Sequence, residues 1–328
     1  MERSLLKSRI SVRLQIESNM EKKYYRSFPD YCKEIYGRKL YRVALDAGMN
    51  CPNRDGTIGT GGCIFCDEGG SGDFAIKYNG QKLEEEDLIY NHTKAGKGNY
   101  IAYFQSFTNT YASVEKLRML FTSSLKDNLF AGIAIATRAD CMGEEVIALL
   151  KKLKSTFPDK FIWVELGLQT IHAKSTLFIR RGYPLSVYDD CVKRLHEENI
   201  PFTVHVILGL PNETKEMMIE TVQYVNSIHA DGVKLQLLHY LDDTDLGRMY
   251  MKDPSMFHVF TEDEYVDIVC TCIGYLSEDV VVHRLTGDGN GEHLLAPLWS
   301  RNKKHILNRI RHELKERNIT QGSLNKTV

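Results

Sequence analysis

The chain has 328 residues, 43% of them hydrophobic and 26% charged, with a formal net charge of −1. With 24 glycines and 8 prolines it is neither collagenous nor broadly disordered, and no stretch approaches the run of about eighteen apolar residues that spans a membrane. The neutral average hides two basic ends, +5 over residues 1–50 and +6 over 301–328, around a body of −12, an asymmetry that hints at a polyanion partner.

Residues 1–35 form a basic N-terminal arm rich in aromatics, among them Tyr24, Tyr25, Phe28 and Tyr31. A loose alternation over Ser11–Glu17 suggests an edge strand. The arm is either partly ordered or a nucleic-acid contact. Its charged start lacks the apolar core of a secretory signal, so a cytoplasmic protein is expected. There, eight cysteines point to metal binding more than to disulfides.

Strands are predicted at 42–47, 100–105, 131–136, 161–168, 203–208 and 233–238, and helices at 113–124, 143–155, 186–198 and 214–229. Most of the strands are apolar without clean alternation, as in strands covered on both faces. A strand–helix rhythm of this kind means a parallel α/β fold. Polar residues end nearly every strand: Gln105, Arg138, Gln169, His239 and Tyr240 are examples. Strand ends in series around one centre favour a partial (β/α)6 TIM-type barrel over a doubly wound sheet, with chemistry at the C-terminal face. That barrel takes residues 36–245. The extension over 246–328 adds a helix near 261–276, a short strand Val280–Arg284, a glycine-rich turn at 287–291 and a basic helix Lys303–Arg317.

The strongest chemical signal follows the first strand. Cys51, Cys63 and Cys66 stand as C-x11-C-x2-C, three soft ligands able to converge on one metal centre. Glycines at 56, 59, 61 and 62 permit the sharp path that wrapping such a centre requires. A structural zinc wants a fourth ligand, and Cys32 is a candidate by spacing. An iron–sulfur cluster with one open iron needs only the three.

Other residues suggest roles beside plainer readings. Arg138 suits an anionic group of a ligand, or a salt bridge to Asp140 or Glu165. Glu165 lies in a very apolar strand and needs a partner. His205 alternates with apolar neighbours and faces the interior, as a catalytic group or a satisfied core histidine. Gln236 and His239 line the substrate mouth, and Arg180 and Arg181 follow the fourth strand. Cys270 and Cys272, about 200° apart on a helix, read as buried structural thiols.

The cysteine loop resembles that of the radical S-adenosylmethionine enzymes. The likeness rests on Cys51-Pro-Asn-Arg-Asp-Gly with Gly-Gly-Cys63-Ile-Phe-Cys66. Later echoes are Glu165-Leu-Gly-Leu-Gln-Thr, Arg180-Arg-Gly and Leu208-Gly-Leu-Pro. Within that superfamily the chain looks like the bacterial YhcC and YtqA group, kin to the catalytic subunit of Elongator and to anaerobic coproporphyrinogen oxidases. The spacing is longer than the commonest C-x3-C-x2-C. Too little chain follows residue 300 for the acetyltransferase-like domain of the Elongator relatives, so acetyl transfer is not expected.

The resemblance implies a [4Fe-4S] cluster on Cys51, Cys63 and Cys66, and S-adenosyl-L-methionine cleaved to a 5′-deoxyadenosyl radical. It implies Phe65 beside the cluster and cofactor contacts from Gln105, Ser106, Asn109, Arg138, Glu165 and Gln169, with the backbone of Leu208 and Gly209 near adenine. It also implies an electron donor such as flavodoxin or ferredoxin, and kinship to Elongator suggests tRNA, at the C5 side chain of the wobble uridine. An anionic small-molecule substrate, or a non-enzymatic iron–sulfur or zinc protein that binds RNA, is the alternative.

Overall fold

A computed structural model describes residues 23–67, 69–70, 75–91, 96–287 and 291–325. The expected strand at Ser11–Glu17 lies outside them. The strands are β1 Tyr41–Asp46, β2 Ile76–Lys77, β3 Tyr100–Phe104, β4 Phe130–Thr137, β5 Phe161–Gln169, β6 Phe202–Leu208, β7 Gly232–Leu237, β8 Tyr240–Leu241, β9 Val281–Arg284 and β10 Leu294–Ala296. The α-helices are α1 Phe28–Tyr36, α2 Val114–Lys126, α3 Glu144–Thr156, α4 Ala173–Phe178, α5 Leu185–Glu197, α6 Lys215–Ser227, α7 Asp245–Lys252, α8 Glu262–Tyr275 and α9 Lys303–Glu316.

Eight strands form one parallel sheet in the order β2-β1-β3-β4-β5-β6-β7-β9. From β3 to β7 each strand lies beside its successor. A doubly wound sheet reverses direction at a switch point between its main strands; here the order runs one way from β1 through β3 to β7 and on to β9, as in an open barrel, and only the two-residue β2 lies on the other side of β1. The six expected strands are all present. The short β2 and the late β9 extend the sheet at its two edges, so the C-terminal extension contributes a strand to it. β8 and β10 pair separately and antiparallel.

Strand β5 shows how the faces divide. Ile162, Val164, Leu166 and Leu168 enter the main core beneath the helices. Phe161 and Trp163 fill a second, aromatic cluster with α1, and Glu165 and Gly167 face a cavity. The helices supply matching apolar stripes, such as Leu117, Leu120 and Phe121 on α2.

Helix α1 closes the barrel at the N-terminal ends of the strands. Ser27 caps it by accepting from the Asp30 N–H, and Gly37 ends it at φ 69°. Phe28 lies 6.0 Å from Phe161 and 4.5 Å from His283, and Tyr31 stacks on Trp163 at 5.4 Å. Of the arm, the part from Phe28 onward is integral structure, because its aromatics bury against those of β5. At the other end of the chain, Ile306, Ile310 and Leu314 of α9 are buried. Arg309 pairs with Glu262 and Asp263 at 2.7 and 2.8 Å, and Arg317 with Asp267 at 2.7 Å. Part of the basic helix is thus neutralised by the acidic face of α8.

Candidate active site

The loop after β1 folds on its own backbone. Arg54 N–H donates to Cys51 O at 2.8 Å, Gly62 N–H to Asn53 O at 2.7 Å and Cys66 N–H to Cys63 O at 3.0 Å. Arg54 spans the loop, donating to the carbonyls of Cys66 and Asp67. Gly62 adopts φ 70°, and a Cβ there would meet Arg54 Nε at 2.9 Å, so the wrap requires glycine. Asn53 donates to Arg180 O at 2.6 Å and lies 3.7 Å from Cys63 Sγ. The loop is thereby fastened to the chain following β5.

A cavity of about 420 Å³ opens beside this loop at the C-terminal ends of the strands. Cys51, Cys63, Cys66, Phe65, Gln105, Arg138, Glu165, Gln169, His205, Gln236, Arg181 and His239 all line it. Burial pushes the Cys66 thiol up to about 12 and raises Cys63, against the pull of Arg54 on Cys66 and of Arg138 on Cys63. Metals take thiolates, so loading this centre displaces protons.

The donor set suits a cluster better than one ion. Among the described residues, the group with three ligand atoms within 4.8 Å of one another is Asp242, Asp243 and His293; the three cysteine sulfurs are spread wider. A lone tetrahedral zinc at about 2.3 Å from each sulfur needs them roughly 3.8 Å apart. Cys32 is no fourth ligand: it is fully buried in α1 among the aromatics. Cys270 and Cys272 are likewise fully buried in α8.

Several of the expected contact residues lie outside the cavity lining or bond within the protein. Asn109 spends its amide on the carbonyls of Ser106 and Ala136, both at 3.1 Å; it and the buried Ser106 sit behind the cavity lining. Leu208 points into the outer core. Gly209 packs toward Phe260, whose ring a Cβ would approach to 3.0 Å. Arg138 makes two bonds to Asp140, at 2.9 and 2.8 Å, and donates to Arg181 O at 2.8 Å. The plainer reading holds for its guanidinium, which ties β4 to the 180–182 loop. Phe107, Gln169 and Arg180 carry left-handed φ values of 59°, 63° and 58°, and such backbone strain clusters at functional sites.

The cavity floor holds a buried ionic network. Glu165 bonds to Lys234, to His205 at 3.0 Å and to Arg42 at 3.3 Å. Lys234 also donates to Tyr103 Oη at 3.0 Å, and Arg42 donates to His283 Nδ1 at 2.6 Å. Burial alone would raise Glu165, but Lys234 and Arg42 outweigh it and hold the carboxyl well below its usual range. Burial and Lys234 take His205 down to about 4, so it is a neutral partner of Glu165. Sequence alone does not single out Arg42, Tyr103, Lys234 or His283. The available signal was Lys234 and Gln236, alternate polar residues in an otherwise apolar strand.

An open parallel barrel with three thiols at its C-terminal mouth defines a class of metal-dependent enzymes. Residues 54–225 match the Radical SAM superfamily and residues 230–316 the Radical SAM C-terminal domain. YtqA of Bacillus subtilis is 41% identical over 307 residues, 93% of this chain and 94% of that protein. A tRNA uridine(34) acetyltransferase of Methanocaldococcus jannaschii is 24% identical over 159 residues, 48% of this chain and 28% of that one. The solved archaeal Elp3 of Methanocaldococcus infernus shares the fold, with TM-score 0.63 at 15% identity over 86% of this chain and 65% of that one. This chain belongs to the radical SAM superfamily and is a radical SAM enzyme, of a family that works with a [4Fe-4S] cluster and S-adenosylmethionine. No described helix is long and apolar enough to cross a membrane.

Proposed function

We propose that this enzyme remodels the C5 side chain of the wobble uridine in tRNA. The observation that carries its chemistry is the gathering of Cys51, Cys63 and Cys66 on one cavity at the strand ends. These thiolates would hold the cluster. When bound, the cluster and S-adenosylmethionine supply a carbon radical that removes hydrogen from a substrate C–H bond, chemistry that belongs to the cofactors.

The chain's own residues bind, orient and shield. Arg54 and Asn53 fix the loop. Arg138, neutralised by Asp140, fixes the 180–182 segment against it. Gln105, Gln169, Glu165 and Phe65 are the proposed cofactor contacts, and His205 and Gln236 face the substrate. The aromatic seal of α1 keeps bulk water from the floor, where a radical would otherwise be quenched.

The tRNA assignment is supported by the likeness to a relative named for tRNA uridine-34 and by exposed basic residues such as Lys304 and Lys315 on α9. Backbone contacts of this kind bind without reading sequence, and the reacting base must be unstacked into the cavity. A flavodoxin or ferredoxin is the proposed electron source. Nucleoside mass spectrometry of tRNA from a deletion strain beside its parent tests the reading: loss of one modified uridine and accumulation of its precursor supports it, and an unchanged profile overturns it.

A further inference from the structure

At the cavity floor one carboxylate faces two strong bases. Glu165 bonds to Lys234 and Arg42, and both Glu165 and Lys234 are at most 2% exposed. An arginine keeps its proton in any protein setting, so the surplus positive charge falls to the lysine. Lys234 stands in register with His205 on the neighbouring strand. Its Nζ touches Tyr103 Oη and lies 4.6 Å from the centroid of that ring. Lys234, His205 and Tyr103 all line the cavity that the cysteines line at its mouth.

We propose that Lys234 is the proton-exchanging group of this cavity, passing a proton to or from a nitrogen or oxygen of the molecule whose C–H bond is broken there. Glu165 and His205 are its positioning residues. The inference rests on the radical-enzyme reading of the site. The step moves one proton and no electron: an N–H bond of Lys234 breaks as an N–H or O–H bond of the substrate forms, or the reverse. Hydrogen loss at carbon changes the acidity of an adjacent N–H or O–H, and a base held at the floor meets that change.

The groups facing Lys234 are Glu165 from β5, His205 from β6, Tyr103 from β3, Arg42 from β1, and His283 and Arg284 from β9. Burial takes Lys234 down to about 7, against the pull of Glu165 and with help from Arg42 and Arg284. Burial also keeps His205 and His283 neutral and raises Tyr103 well above its ordinary range. Of this set, Lys234 is the member poised to change charge near neutrality.

The test begins with the metal-free protein. Nζ shifts of ¹⁵N-lysine-labelled enzyme are followed from pH 5 to 10, with Lys234 identified by its absence in Lys234→Arg. A midpoint near 7 is expected; a lysine still fully charged at pH 9 overturns the proposal. The loaded enzyme is then given unfractionated tRNA from a deletion strain. Product formation by the wild type should bend near pH 7, and Lys234→Arg, with equal iron content, should be about 100-fold slower without the bend. A variant matching the wild-type rate and profile overturns the proposal. If neither protein acts on tRNA, the substrate reading has failed, while a lysine still fully charged at pH 9 overturns the proposal for Lys234 independently of it.

Discussion

Cys63 Sγ lies 3.7 Å from Asn53 Nδ2 and 3.8 Å from the Arg180 carbonyl, and no other thiol among the described residues shares that niche. Cys63→Ala is therefore expected to lose iron and 5′-deoxyadenosine release together after anaerobic reconstitution; a variant keeping an active cluster would refute the assignment. His205 makes a second prediction. Its folded-state value near 4 lies below the ordinary 6.5, so on acidification the unfolded chain takes up the proton first. Stability then falls from pH 7 to pH 5 by about 2 kcal/mol from this residue alone. Urea midpoints at the two pH values should show a smaller loss for His205→Gln, whose amide still reaches Glu165. The cysteine trio was legible because its members stand close together in sequence. The Lys234–Glu165 contact was not, because it crosses 69 positions and needs the strand register to appear.

Among the elements, the central strands were legible because their apolar runs admit no other placement in a covered sheet. The edge strand β2 has two residues and leaves no pattern. Helix α1 was hidden by its setting: Phe28 and Tyr31 sit in a basic segment whose charge suggested an arm, and their partners Phe161 and Trp163 lie far along the chain. Phe28→Ala should cost about 3–5 kcal/mol, as large buried aromatics do, read as a lower urea midpoint. Thr261 and Glu264 form a capping box at the start of α8; Thr261→Ala should cost about 1 kcal/mol in the same assay.

For the whole molecule, the charge asymmetry was legible but its meaning was only half so. Arg309 and Arg317 are tied to α8, and Ile306, Ile310 and Leu314 are core residues. Deleting residues 301–328 should therefore lower the melting temperature, so the truncation cannot isolate RNA binding. Reversing Lys304 and Lys315 to glutamate is the cleaner experiment. It should weaken retention of bulk tRNA and flatten its salt dependence while leaving the melting curve in place; retention with an unaltered salt slope would exclude α9 as the contact.

Among the described residues, the aromatic seal formed by α1 turns the barrel into a cul-de-sac whose doorway lies at the cysteine loop. A polymer that sets a base into that doorway blocks traffic behind it. The small co-substrate must then enter first, and its spent fragments must wait until the polymer has left. Such a queue gives an obligatory order of arrival and departure, visible as competition between the departing nucleoside and fresh co-substrate in steady-state kinetics.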